Sequence, residues 1–281
     1  MILITGGSGQ LGTSLRRALQ DYPDEVLAPP HMELDITAPA QVSAFFREKK
    51  PDTVLHCAAF NAVDTAEEHP ALCCRTNILG TQLLAQECRR TGAYLLSISS
   101  DFVFDGKKTG AYETGDAKHP LSIYGYSKSV AEDIVLQSDA RNTVLRISWL
   151  FGRSPTNFVE AILQAAERRP LLDVVSDQIG CPTYADDLAS LLLELLRQRP
   201  AGIFHAANEG CCSRAAFAEK ILQLSGSGAA VRAVSSAEYP SKAHRPRNSV
   251  LSKASLDAAG LRRLPPWEDA LARYFSQRKG R

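Results

Sequence analysis

No sign of charge dominates this chain: 32 lysines and arginines stand against 31 aspartates and glutamates, a formal net charge of +1. Proteins that hold nucleic acid or anionic membrane carry a basic surplus, so neither partner is expected. Long apolar runs are missing too. The most leucine-rich stretch, Leu188 to Leu196, contains Glu194 and is far shorter than the ~20 apolar residues of a spanning helix. The strand-like Ile2-Leu3-Ile4 follows Met1 at once, leaving no room for the parts of a secretion signal. The seven cysteines are an odd count, and the pairs Cys73-Cys74 and Cys211-Cys212 have neither CxxC nor zinc-ligand spacing. They read as reduced packing residues in a cytoplasmic protein. With 44% hydrophobic and 22% charged residues, the composition is that of a globular protein with a small-molecule partner.

What is present is alternation. Apolar runs at Ile2–Ile4, Val26–Ala28, Thr53–Cys57, Tyr94–Ile98 and Thr143–Ile147 are separated by helix-like stretches near 10–20, 40–49, 71–90 and from Tyr124 onward. Continuous apolar strands between helices predict a parallel sheet covered on both faces, an α/β doubly wound, Rossmann-like fold. Beyond Trp149 the alternation loosens into shorter elements and ends in a basic tail, Arg278-Lys279-Gly280-Arg281. Residues 1–150 therefore read as a dinucleotide-binding domain. Residues 151–281 read as a smaller α/β substrate lobe that returns some elements to the first.

Thr5-Gly6-Gly7-Ser8-Gly9-Gln10-Leu11-Gly12 sets glycines three apart, directly after a strand and before a helix. Such glycines let backbone approach a pyrophosphate, whose charge meets free amides at the helix start. Further on, Leu121-Ser122-Ile123-Tyr124-Gly125-Tyr126-Ser127-Lys128 offers two tyrosines before a lysine. Residues four apart share a helix face and residues two apart do not, so Tyr124 can meet Lys128 and Tyr126 cannot.

The glycine spacing, with Tyr-x-x-x-Lys downstream, resembles the extended short-chain dehydrogenase/reductase superfamily. Within it, Ser99-Ser100-Asp101-Phe102-Val103-Phe104-Asp105-Gly106 is similar to the S-T-D-Y-V-F-D-G motif of dTDP-4-dehydrorhamnose reductases. Ala58-Ala59-Phe60-Asn61-Ala62-Val63-Asp64-Thr65-Ala66-Glu67, Glu33-Leu34-Asp35-Ile36-Thr37, Asp177-Gln178-Ile179-Gly180-Cys181-Pro182-Thr183 and Arg245-Pro246-Arg247-Asn248-Ser249 also follow that family's motifs in order. Taken singly, each has a bland reading as turn or packing residues; the shared order carries the resemblance. Two departures are Ser100 and Phe102, where the family has threonine and tyrosine.

The resemblance implies reduction of the 4-keto group of a dTDP-4-dehydro-6-deoxysugar, with Tyr124 as proton donor, Lys128 tuning the phenol and Ser100 steadying the ketone oxygen. It implies NADPH, with NADH tolerated, held by Gly6, Gly9, Gln10, Leu11, Gly12, Asp35, Ile36, Cys57, Ala58, Ala59, Ser99, Tyr124 and Lys128. For the nucleotide sugar it implies Val63, Ser100, Asp101, Trp149, Asn157, Gln178, Thr183, Arg247 and Asn248. It allows a homodimer. Some members bind magnesium through a glutamate whose position here is Ser14, so no metal is expected. Two alternatives stay open: a non-catalytic NADP-binding subunit resembling the beta subunit of methionine adenosyltransferase, which shares several of these motifs, and a nucleotide-sugar epimerase or dehydratase, for which Asp101 is the one nearby acid/base carboxylate.

Overall fold

The computed structural model describes every residue except Pro155, Pro240 and 279–281, so the basic tail read from the sequence runs outside the described residues. Six parallel strands form one sheet: β1 (Ile2–Thr5), β2 (Val26–Leu27), β3 (Thr53–His56), β4 (Tyr94–Ser100), β5 (Thr143–Ile147) and β6 (Gly202–Ala206). Their order across the sheet is β6-β5-β4-β3-β1-β2. From β1 the chain goes outward to β2 and then crosses back to β3 on the other side of β1. That reversal opens a crevice at the carboxyl ends of β1 and β3, the place where open sheets of this kind take ligands.

Each strand is apolar on both faces because both are covered. On one face Ile2, Ile4, Leu55, Leu96 and Leu145 pack with Leu11 and Leu15 of helix Gln10–Ala18 and the leucines of helix Ala185–Gln198. On the other, Leu3, Val54, Leu95 and Val144 meet Phe45, Phe46 and Leu84. Strand β6 and the helix before it come from the second half of the sequence. That half also builds a core of its own around Phe151, Phe217, Trp267 and Tyr274. It holds a parallel strand pair, Leu171–Val175 with Ala230–Val234. A small three-stranded sheet places Ile179–Gly180 between Cys212–Ser213 and Asn248–Ser249.

The helical stretch expected near 71–90 is not uniform. Pro70–Cys74 and Gly80–Thr91 are α-helical, and Arg75–Leu79 between them is a π turn. The widened turn carries buried Asn77, which donates to Ser127 Oγ at 2.9 Å and accepts from the Phe60 amide at 2.7 Å. Such insertions cluster at functional sites, and this one ties the loop after β3 to helix Ile123–Ser138.

Two histidines are sealed inside. His56 lies between Thr5 Oγ1 at 2.7 Å and Thr81 Oγ1 at 2.9 Å. His205 is assigned to donate from Nδ1 to the Tyr112 carbonyl at 3.1 Å and to accept at Nε2 from Arg146 at 3.3 Å. Burial pulls each ring down to about 3, with the Arg146 charge adding to the effect on His205. In the unfolded chain both protonate near 6.5. As pH falls below about 6.5 the unfolded state therefore binds protons that the folded state refuses, down to about 3. Stability should decline by about 1.4 kcal/mol per pH unit for each ring in that window. Thermal unfolding at pH 7, 6 and 5 checks this; a flat midpoint would show that these rings are not held neutral.

Candidate active site

The glycine loop caps β1. Gly6 sits at φ +70°, and a Cβ there would lie 2.7 Å from the Ala58 amide. A Cβ on Gly12 would lie 2.2 Å from the Gly6 carbonyl oxygen. Gly9 starts helix Gln10–Ala18 without a side-chain cap, leaving the first amides, those of Gln10, Leu11 and Gly12, without intrahelical acceptors. The cradle fits a pyrophosphate. The Gln10 side chain donates to the Thr156 carbonyl at 3.2 Å and leaves its Oε1 as a buried acceptor without a partner, and Leu11 is buried in the core. We expect Gly12→Ala to cost about 1–3 kcal/mol of stability through overpacking and to weaken NADPH by about tenfold or more. Fluorescence titration of the nucleotide checks it, and unchanged affinity would remove the loop from the binding site.

Cys57, Ala58 and Ala59 leave β3 beside this loop, with the Ala58 amide donating to Thr5 Oγ1 at 3.3 Å. Burial pushes the Cys57 thiol up to about 12, so it is inert. Asp35 is committed locally: its Oδ1 accepts from the Thr37 amide and hydroxyl, each at 2.8 Å, and the amide bond is the largest cause that lowers its pKa. Ile36 is buried against Gly80. The Ser99 hydroxyl donates to Glu132 at 2.5 Å, which leaves its main chain for a nucleotide. Ser14 donates to Asp186 at 2.6 Å.

At the end of β4 the two tyrosines separate. Tyr124 is 9% exposed and Tyr126 is 53% exposed. The Tyr124 ring meets the edge of Phe102 at 5.5 Å and packs with Ala66, Cys73 and Val63. Burial pushes its phenol above the usual tyrosine range, and a hydrogen bond with Ser100 works against that shift. Ser100 itself donates to Asp101 at 2.9 Å and accepts from the Phe102 amide. Lys128 is buried one helical turn on, but its ammonium donates to the Ile98 carbonyl at 2.7 Å. Burial draws Lys128 down to about 8, with Glu132 opposing. Ser100 is the group that lowers the phenol here, while the Lys128 ammonium is turned to the Ile98 carbonyl.

On the substrate side, several expected contacts are spent on the fold. Asn157 caps helix Phe158–Arg168, accepting from the Val159 and Glu160 amides and donating to the Gly152 and Ser154 carbonyls. Thr183 is fully buried and donates to the Ser148 carbonyl at 2.6 Å. Asn248 clamps the Lys108 and Gly110 carbonyls and accepts from the Val250 amide. Gln178 is buried and donates to Ser236 at 3.1 Å. The Arg247 side chain is 75% exposed, 3.9 Å from Asp177. Asp101 follows β4 directly, Val63 packs in the cluster that holds Tyr124, and the Trp149 indole lies against Gly180. The residue that sequence reasoning missed is Arg214, whose guanidinium stacks 3.6 Å from the Trp149 ring. Its only sequence signal was its place after the Ser213 cap.

A pyrophosphate cradle at a sheet switch point, beside a buried tyrosine with a serine partner and a lysine one turn away, defines a class: an extended short-chain dehydrogenase/reductase that transfers hydride with a nicotinamide cofactor. The chain belongs to the RmlD family, whose substrate binding domain model matches residues 1–279. It is 39% identical to the spore coat polysaccharide biosynthesis protein SpsK of Bacillus subtilis, over 99% of this chain and 97% of that one. The dTDP-4-dehydrorhamnose reductase structure from Clostridium acetobutylicum superposes with a TM-score of 0.97 at 35% identity, covering 99% of each chain. That from Bacillus anthracis, in complex with NADP, does so at 0.95 and 34%, covering 98% of each. The protein is thus an NAD(P)H-dependent ketoreductase of the dTDP-4-dehydrorhamnose reductase type.

Proposed function

We propose that this chain reduces dTDP-4-dehydrorhamnose to dTDP-rhamnose, using NADPH in preference to NADH, as a cytoplasmic enzyme. Residues 1–150 would hold the dinucleotide and 151–281 the nucleotide sugar. The observation that carries the reading is the buried Tyr124 phenol with Ser100 as its partner at the end of β4. Reduction of a ketone consumes a proton, so the donor must rest in its protonated form at neutral pH. A phenol raised by burial meets that requirement.

When bound, the nicotinamide supplies the hydride. Tyr124 gives its proton to the ketone oxygen while Ser100 hydrogen-bonds the same oxygen as charge develops on it. Lys128, held at the Ile98 carbonyl, stands where it can take a ribose hydroxyl and stabilise the phenolate left behind. Arg247 is the outer cation for the diphosphate. The preference for NADPH is supported by the segment after β2, where Ala28-Pro29-Pro30-His31 offers no carboxylate to the ribose hydroxyls.

The test is to supply dTDP-4-dehydrorhamnose and other 4-keto sugars with NADPH and follow nicotinamide absorbance. Turnover of the first supports the proposal. Well-folded, NADPH-saturated protein that turns over none of them would move the reading to a regulatory NADP-binding subunit.

A further inference from the structure

Beside the end of β4 the fold leaves one buried acceptor unsatisfied and, near it, a guanidinium held by aromatic faces. Asp101 is 2% exposed; Ser100 and Ser249 support its carboxyl, and its Oδ2 remains a buried acceptor without a partner in hydrogen-bond geometry. Leaving such an atom bare costs free energy unless a ligand satisfies it. Across from it, the Arg214 guanidinium is sandwiched between aromatic faces, 3.6 Å from the Trp149 ring centroid and 5.0 Å from that of Phe158. Among the described residues it enters no hydrogen bond or ion pair. The two groups are close enough for each charge to act on the other, and burial dominates both: it raises the Asp101 carboxyl and draws Arg214 down to about 10.

The fold fixes this arrangement from three directions. Ser213 caps the helix that Arg214 begins. Its strand lies against Ile179–Gly180, and on the other side Ser249 pairs with Gly180. Trp149 holds a left-handed backbone at φ +47°, and its indole lies where a Gly180 side chain would be, 2.4 Å from that Cβ position. Strain of this kind in a non-glycine residue persists only where the surroundings enforce it, and it gathers at ligand clamps.

We infer that Asp101 and Arg214 together read the vicinal hydroxyls of the substrate sugar, making Arg214 a specificity-determining residue for a hexose that carries oxygen at both C2 and C3. This deepens the proposed function and rests on it. A buried carboxylate beside a cation disfavours a second anion, so the gap between them suits a neutral diol better than a diphosphate. One hydroxyl donates to Asp101 Oδ2; the next accepts from the Arg214 fork. Asp101 adjoins Ser100, which holds the C4 oxygen, so Asp101 takes the C3 hydroxyl and Arg214 the C2 hydroxyl. A 2-deoxy sugar would leave the guanidinium bare, and sites built around a hydroxyl reject the analogue that lacks it.

The test is calorimetric binding of dTDP, dTDP-rhamnose and its 2-deoxy counterpart to NADP-loaded wild type, Arg214→Met and Arg214→Lys. Wild type should prefer dTDP-rhamnose to the 2-deoxy compound by about tenfold or more, the worth of one hydrogen bond to a charged group. Arg214→Met should bring that ratio close to one and leave dTDP affinity unchanged, with Arg214→Lys in between because it keeps the charge and loses the fork. A loss of dTDP affinity matching the loss for the sugar nucleotide would overturn the inference and assign Arg214 to the diphosphate. An unchanged ratio, or no binding of any of the three by wild type, would also overturn it. If the ratios behave as expected and no ketone is reduced, the catalytic reading fails and the sugar site stands.

Discussion

Tyr124→Phe should lower kcat for the 4-keto sugar by about 10²–10⁴-fold, the usual worth of a positioned general acid. The substitution keeps the ring that packs against Phe102 and Val63, so fold and NADPH affinity should be retained. Tyr126→Phe is the matched control. Its ring is exposed on another side of the helix, and turnover should stay within a few-fold, as for ordinary surface changes. Steady-state kinetics of the three proteins, each saturated with NADPH, decides the matter. Equal losses at both positions would mean that the tyrosines act through the helix and that neither is the donor.

Glu132→Gln should produce the largest loss of stability. Glu132 and Arg146 each have side chains 1% exposed and form a forked pair, with Nε to Oε1 and Nη2 to Oε2 both at 2.8 Å. Ser99 adds a hydrogen bond at 2.5 Å and Lys118 stands 3.5 Å away. Breaking a buried pair by removing one charge strands the other, at a cost of about 3–5 kcal/mol, out of a typical total of about 5–15. The double variant Glu132→Gln, Arg146→Met should recover a good part of it, because no charge is then stranded. Urea unfolding measures all three proteins. A single-variant loss below about 1 kcal/mol would show that water reaches the pair. Function is linked through Lys128, whose charge Glu132 supports, so the single variant should also be less active when folded.

The readable parts of this protein are those set within a few residues of chain. The strand at Ile2, the glycines at 6, 9 and 12, and the helix start at Gln10 follow one another directly. Their geometry therefore depends on backbone sterics that any sequence with that order must obey. The choice of Tyr124 over Tyr126 was likewise a matter of helical period. The π turn at Arg75–Leu79 was not readable, since it depends on Asn77 reaching Phe60 and Ser127, 17 and 50 positions away.

The same distinction explains the substrate residues. A motif reports residue type and order, but not which atom elsewhere takes a polar group. Thr183 and Asn248 stood in matching motifs and Asn157 was implied by the resemblance, and their hydrogen-bonding groups are used by nearby carbonyls and amides. By itself, then, the sequence determined the doubly wound sheet and the glycine turn between its first strand and helix, and separated the faces of Tyr124 and Tyr126, because backbone geometry and helical period act locally. Only the tertiary structure decided that Ser99 serves Glu132, that Ser14 serves Asp186 and that Arg214 lies on Trp149. Those partners are brought together by tertiary packing, and long-range packing is not written in the spacing of neighbouring residues.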